Sequence, residues 1–144
     1  MKVLLDTSVL VAAMVESHPM HARAHLWLDR GIGGEFEWVV AAHSLAELYH
    51  VLTAYPLRPR IAPGTARQLI HDNIARKASV VALTASDYTA VVQHVASLNL
   101  TGGVVYDALI LRAAERAGVD RVLTFNVDDF RRLWPDGVAK IAAP

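Results

Sequence analysis

Three acidic residues stand inside apolar stretches and are the first candidates for chemistry. Asp6 interrupts MKVLLDTSVL, Glu47 lies within SLAELYHVLT, and Asp107 lies within GGVVYDALIL. An unpaired charge is costly to bury, and carboxylates that share one cleft repel one another unless a cation joins them. Carboxylate oxygens are the ligands that Mg²⁺ and Mn²⁺ prefer. Such a site can activate water and stabilise the attacking and leaving oxygens of a phosphoryl displacement.

Each of the three acids also has a structural interpretation. Asp6 suits the N-cap position of the helix that follows it, as does its neighbour Thr7. Glu47 stands three residues after Ser44, which is the spacing of a capping box. Asp107 lies early in its helix, where a carboxylate complements the helix dipole. Taken one at a time, these interpretations are as well supported as a metal site.

Apolar runs that alternate with amphipathic segments predict an α/β fold with a parallel sheet. Strands are predicted at Val3–Leu5, Phe36–Ala41, Ser79–Leu83 and Asp120–Thr124, with a candidate edge strand at Val138–Ile141. Helices are predicted at residues 9–15, 21–30, 42–54, 64–76, 85–98 and 104–117, with a turn or short helix at 126–130.

This order of elements brings the three acids together. In a parallel sheet, the carboxyl ends of the strands and the first turns of the following helices share one edge, where ligands bind in open α/β folds. Asp6, Glu47 and Asp107 are expected to converge there. The polar segment Thr124–Asp129 leaves the fourth predicted strand at the same edge.

Composition narrows the class of protein. The 144 residues fit a single domain, they are 53% hydrophobic, and their mean hydropathy is +0.29. No stretch approaches the roughly 18 apolar residues of a membrane helix, and no leader peptide fits the N-terminal residues. The absence of cysteine favours a cytoplasmic location. A net charge of zero is untypical of a passive nucleic-acid binder.

Four motifs together carry a family resemblance. LLDTSVL, SLAELYHVLT, GGVVYDALIL and VLTFNVDDF occur in an order and spacing that resemble the PIN-domain nucleases, specifically the VapC-type toxins of bacterial toxin–antitoxin pairs. The resemblance covers residues 1–144 and implies a three-layer α/β/α sandwich around a parallel sheet. It also implies endoribonuclease activity that depends on Mg²⁺ or Mn²⁺, a homodimer, no membrane association, and a cognate VapB-like antitoxin that covers the active site.

The resemblance assigns roles to individual residues. Asp6, Glu47 and Asp107 match the three metal-site acids. Three hydroxyl residues match supporting positions: Thr7 or Ser8 beside the first acid, and Thr124 at the start of the last motif.

One position departs from the family pattern. The frequent fourth acid is replaced by Asn126, which offers an oxygen but no charge. Asp128 is the candidate substitute as a catalytic acid. The alternative is that Asp128 is a surface residue of a turn. Because Asn126 carries no charge, a second metal ion is less strongly predicted than the first.

Some histidines and arginines are weaker candidates for metal binding or RNA contact. His21 and His25 stand at i and i+4 as a candidate metal pair, although a solvated helix face explains them better. His43 and His50 share the helix face of Glu47, where packing is the simpler role. Arg112 and Arg116 are candidate contacts to RNA phosphates, and surface salt bridges explain the same pattern. Transfer, ribosomal and messenger RNA are all compatible substrates.

Two other functions are compatible with parts of the sequence. A phosphatase of the haloacid dehalogenase type also places Asp after the first strand, but its second Asp is replaced here by Ser8. A degenerate domain of the same fold that binds RNA or a protein without cleaving is the remaining alternative. The three acids argue against it, and Asn126 leaves it open.

Overall fold

The computed structural model describes all residues from Met1 to Pro144 and is built around a parallel sheet. The strands are β1 (Lys2–Leu5), β2 (Glu37–Ala41), β3 (Ser79–Val81), β4 (Arg121–Leu123) and β5 (Ile141–Ala142). Their spatial order is β3-β2-β1-β4-β5, and every pair is parallel. The expected α/β class with a central parallel sheet is therefore confirmed.

Seven α-helices cover the sheet. They are α1 (Thr7–Met14), α2 (His21–Ile32), α3 (Ala42–Ala54), α4 (Pro63–Ile70), α5 (Ala85–Ser97), α6 (Val104–Ala117) and α7 (Val127–Leu133). Helices α3 and α6 have the predicted bounds, and α7 extends the short helix that was expected at 126–130. None of the helices has the length and apolar character needed to span a bilayer.

Two predicted elements differ from the structure. The helix expected at 64–76 is α4 followed by a π-helical turn, His71–Ala75. The edge strand expected at Val138–Ile141 is mostly a 3₁₀ turn, Pro135–Lys140, which precedes the two residues of β5. This turn is tight because Gly137 lies against the indole of Trp134, where an added Cβ would approach to 2.1 Å.

The sheet is buried on both faces. Val3 and Leu5 of β1 join an apolar cluster with α1, α2, α3 and α4 on one face of the sheet. Leu4, which points the opposite way, joins a second cluster with α5, α6 and α7. Phe130 of α7 is fully buried in this second cluster. Central strands covered on both faces explain why the sequence shows continuous apolar runs instead of alternation.

Helices α5 and α6 are joined by ion pairs on a buried carboxylate. Asp87 is 2% exposed and belongs to the capping box that Thr84 begins. Arg112 Nε lies 3.0 Å from Asp87 Oδ1, and Arg116 Nη1 lies 2.8 Å from Oδ2. The backbone N–H of Thr84 and the Arg112 guanidinium lower the pKa of Asp87 to about 2.

We expect Asp87→Asn to lower the thermal midpoint at neutral pH. The carboxyl pKa is lower in the folded state than its ordinary 3.8, so the stabilisation is complete above about pH 4 and disappears as pH falls towards 2. Thermal unfolding across this range should show the gap between wild type and Asp87→Asn closing at acid pH.

The matched control is Asp136→Asn, because Asp136 is exposed and forms no salt bridge. A constant gap between wild type and Asp87→Asn at every pH would mean that the charge of Asp87 does not stabilise the α5–α6 contact.

Candidate active site

The three predicted acids line one cleft at the carboxyl edge of the sheet. The cleft has a volume of about 560 Å³, and Asp6, Glu47 and Asp107 all face it. Its other polar lining residues are Thr7, Ser8, His18, Tyr55 and Asn126. The structure thus brings together the acids that topology predicted to converge.

Asp6 serves as a helix cap and also lies in the cleft. Its Oδ1 accepts a 2.7 Å hydrogen bond from the backbone N–H of Thr7, which makes it the N-cap of α1. Its Oδ2 accepts hydrogen bonds from the hydroxyl groups of Ser8, at 2.7 Å, and Thr124, at 2.8 Å. Burial raises the pKa of Asp6, and these hydrogen bonds oppose the rise. Asp6 therefore caps α1 and also belongs to the acid cluster of the cleft.

The capping box predicted for Ser44 and Glu47 is wrong. Helix α3 begins directly after β2, so its N-cap is Ala41 and Ser44 lies inside the first turn. Ser44 is buried and accepts a 2.9 Å hydrogen bond from the Thr7 hydroxyl. Glu47 is thereby left free of the capping role. A Ser44 cap would require a helix that starts at Leu45, which is incompatible with the start at Ala42 that the sequence predicts and the structure has.

Glu47 is a partly buried acid with an unsatisfied oxygen. Burial, and then the charge of Asp6, raise its pKa. Glu47 Oε1 is buried and lies 3.1 Å from Nε2 of His43, but neither atom makes a hydrogen bond of acceptable geometry. Burial lowers the pKa of His43, so the imidazole is neutral at neutral pH and gives no counter-charge. His50, on the same helix, is exposed.

Asp107 is the third acid of the cleft, and its pKa is also raised. Burial and the charges of Asp6, Asp129 and Glu47 raise its pKa to about 7. The contribution of Asp129 was missed in the sequence, where Asp128 was the predicted fourth acid. In the structure, the charge of Asp129 contributes to the raised pKa of Asp107, whereas Asp128 is exposed.

The last motif contributes a hydroxyl group and an amide to the site. Thr124 is fully buried between Asp6, to which it donates, and the backbone N–H of Asn126, from which its Oγ1 accepts. Asn126 lies at the border of the cleft and also lines a neighbouring recess with Asp128 and Asp129. A catalytic role for Asp128 stays a prediction, and its position outside the main cleft gives it no support.

The chemistry of these side chains fits a divalent cation. Asp6, Glu47 and Asp107 form no ion pair with any lysine or arginine. No three acidic or histidine side chains are gathered closely enough, as they stand, to hold one ion together. Mg²⁺ does not require this, because it keeps several waters and binds through one or two carboxylates. The unsatisfied Glu47 oxygen and the raised pKa of Asp107 are what a missing positive charge would produce.

The other candidate groups have structural partners. Arg112 and Arg116 bind Asp87, so the salt bridges account for both guanidinium groups, and RNA contact stays a prediction for them. The Nδ1–H of His21 donates to the Ala12 carbonyl at 2.9 Å, and the ring stacks on His25 at 5.0 Å. His25 lies 3.3 Å from Asp29. No third ligand joins this histidine pair.

Comparison with known proteins agrees with this site and fold. The PIN domain family model matches residues 3–133. Ribonuclease VapC40 of Mycobacterium tuberculosis is 36% identical over 131 residues, which are 89% of this chain and 91% of that protein.

Two solved structures share the fold at low identity. VapC20 of M. tuberculosis, described as a sarcin–ricin loop cleaving toxin, superposes with a TM-score of 0.70 at 16% identity, covering 88% of this chain and 92% of that one. VapBC2 of Rickettsia felis, bound to a DNA fragment from its promoter, gives 0.65 at 18% identity, covering 92% and 93%. From its fold, its matched residues and its sequence relatives, the chain belongs to the PIN-domain family, within the VapC-type ribonuclease toxins.

Proposed function

We propose that this protein is an endoribonuclease that depends on Mg²⁺ or Mn²⁺ and acts as the toxin of a toxin–antitoxin pair. The observation that carries the proposal is the cluster of Asp6, Glu47 and Asp107 in one cleft with no basic partner. The relation to a ribonuclease at 36% identity supports RNA as the substrate.

Asp6, Glu47 and Asp107 would hold the cation, which supplies Lewis-acid stabilisation and an activated water when it is bound. The chain orients these ligands through the hydroxyl groups around Asp6. Ser8 and Thr124 hold one oxygen of the Asp6 carboxylate, and the Thr7 backbone holds the other. Because these donors come from β4, α1 and the loops beside them, the Asp6 carboxylate has one fixed orientation.

The distribution of charge supports a polyanionic substrate. Residues 55–78 contain five basic side chains and one acid, Asp72, so this segment is +4 in a chain of zero net charge. None of the five forms a salt bridge with an acidic side chain, and all five are exposed. The segment begins at Tyr55, which lines the cleft. Exposed arginines in a segment that begins at the cleft are suited to hold phosphates of an RNA strand that the acids engage.

We propose a VapB-like antitoxin as the protein partner and a homodimer as the assembly. The structural neighbour from R. felis is described as VapBC2, which is a toxin–antitoxin complex by its name. Co-purification with the product of an adjacent small gene, followed by mass measurement, would test both statements.

A domain that binds RNA without cutting it is the second candidate. Two observations favour it: Asn126 replaces the frequent fourth acid, and no three ligands are gathered around one point. The cleavage experiment below separates the two candidates, because a binding domain would retain RNA and leave it intact.

We expect Asp6→Asn and Asp107→Asn each to reduce RNA cleavage by at least about 100-fold, since each removes a proposed metal ligand. The measurement is digestion of total cellular RNA by the purified chain with Mg²⁺ or Mn²⁺, and with EDTA, read by sequencing fragment ends. Circular dichroism should show that both variants keep the fold.

Cleavage by wild type that survives EDTA would contradict metal dependence. Equal cleavage by wild type and both variants would remove these residues from the site. Intact RNA after incubation with folded, antitoxin-free wild type would favour the binding domain instead.

We also expect Asp129→Asn to reduce cleavage more than Asp128→Asn. Only Asp129 is close enough for its charge to act on Asp107, whereas Asp128 is an exposed neighbour on the same helix. The two variants lose the same charge one residue apart, so each serves as the control for the other. A larger loss in Asp128→Asn would restore Asp128 as the fourth acid.

In metal-free buffer, we expect the free energy of unfolding to fall as pH rises from about 4 to 7. The pKa of Asp107 is about 7 in the folded protein, above its ordinary 3.8. Protonation of Asp107 therefore stabilises the folded state fully below pH 3.8, and this stabilisation is lost as the pH rises towards 7. Urea unfolding in EDTA should show a smaller decline in Asp107→Asn. Added Mg²⁺ should raise the stability of wild type more than that of the variant at pH 7 and above. A wild type that gains stability over this range without metal would contradict the charge repulsion.

A further inference from the structure

Two aromatic rings stack beside the acid cluster. The phenol ring of Tyr106 lies parallel to the imidazole of His43, with 5.3 Å between centroids and 7° between planes. Tyr106 belongs to α6 and is 51% exposed, whereas the His43 side chain belongs to α3 and is 21% exposed. One face of the phenol ring is thus supported by the imidazole, and much of the rest is open to solvent.

Neither packing nor hydrogen bonding explains the exposed ring of Tyr106. Its hydroxyl makes no hydrogen bond within the chain, and it is the most exposed of the three exposed tyrosines, the others being Tyr49 and Tyr88. It is the only one of these that stacks on another aromatic ring. Because the imidazole of His43 already restricts the orientation of the Tyr106 ring, the side chain loses little entropy when a planar ligand stacks on it.

The stack adjoins two of the three acids. Tyr106 directly precedes Asp107, so their Cα atoms are about 3.8 Å apart. His43 lies one helical turn before Glu47 and its Nε2 is 3.1 Å from Oε1 of that residue. The approach before α6 is open, because a Cβ at Gly102 or Gly103 would meet no atom within 4 Å.

We propose that Tyr106, supported by His43, is a stacking platform for an unpaired nucleobase of the RNA next to the phosphate that the acids engage. The proposal rests on the ribonuclease function proposed above. Every base has a π-face, so such a platform binds single-stranded RNA with little base preference. It would hold one nucleotide in place while its neighbouring phosphate meets Asp107.

The position of the ring favours RNA over a protein partner as its ligand. Tyr106 and Asp107 are consecutive residues of α6, and one sugar joins a base to its phosphate, so a base stacked on Tyr106 lies about one nucleotide from the Asp107 carboxylate. The exposed basic residues of segment 55–78 supply the phosphate contacts that such a strand needs. A protein partner that covers Tyr106 is instead one outcome of the test below.

The test compares RNA with and without bases. Both probes are fluorescein-labelled and about 12 nucleotides long, one an oligoadenylate and the other an abasic ribose-phosphate chain of the same length. Binding is measured by anisotropy at fixed salt in the Asp6→Asn background, in which the probe is not cut. We expect Tyr106→Ala to weaken oligoadenylate binding by about 5- to 150-fold and to leave binding of the abasic chain unchanged.

Two further variants separate stacking from structural effects. Tyr106→Phe keeps the ring and should bind like the parent. Tyr88→Ala removes a tyrosine that is 45% exposed and is also adjacent to an acidic residue, Asp87, but lies on α5; this variant should bind both probes normally.

Equal oligoadenylate binding by Tyr106→Ala and its parent would overturn the platform, as would an equal loss on both probes. Loss of self-association or of antitoxin binding, with RNA binding intact, would overturn it in favour of a protein interface.

The experiments distinguish failure of the stacking platform from failure of the proposed nuclease function. If oligoadenylate binding depends on Tyr106 but no RNA is cut, the stacking platform stands and the proposed nuclease function fails. If RNA is cut and Tyr106→Ala changes neither binding nor cleavage, the nuclease function stands and the stacking platform fails.

Discussion

Like charges held close together in a partly buried cleft are the constraint on which this structure depends. Asp6 caps α1, Glu47 lies on α3 and Asp107 on α6, and the three meet without a lysine or arginine among them. Burial raises the pKa of all three acids, and the charges of neighbouring carboxylates add to the rise for Glu47 and for Asp107, whose pKa reaches about 7. The fold supports this arrangement because its apolar layers stabilise the sheet on both faces, so the edge of the sheet can carry an unfavourable cluster.

Two equally buried carboxylates show what a basic partner changes. Asp6 and Asp87 are each 2% exposed, yet the pKa of Asp6 is raised and that of Asp87 is lowered. Asp87 receives a backbone N–H and two guanidinium groups, so its charge stabilises the contact between α5 and α6. Asp6 receives hydroxyl and backbone donors but no full positive charge. The first arrangement is typical of a structural ion pair, and the second of a carboxylate in a functional site.

The same helices that hold the acids also shape the surroundings of the cleft. The ion pairs of Asp87 fix α6 against α5, and the His43–Tyr106 stack joins α6 to α3. Asp107 and Glu47 therefore lie on helices that contact each other through this stack and pack against the sheet. Rigid elements of this kind hold a site more precisely than loops can.

The sequence by itself determined the order of strands and helices, the parallel sheet and the convergence of Asp6, Glu47 and Asp107, because hydrophobic periodicity and strand ends are local patterns. Only the tertiary structure decided the roles that depend on what lies across from a side chain. Ser44 accepts a hydrogen bond from the Thr7 hydroxyl, the charge of Asp129 acts on Asp107, and Asp87 binds both arginines. The stack of Tyr106 on His43 joins residues 63 positions apart, and no local pattern records which faces of two helices will meet.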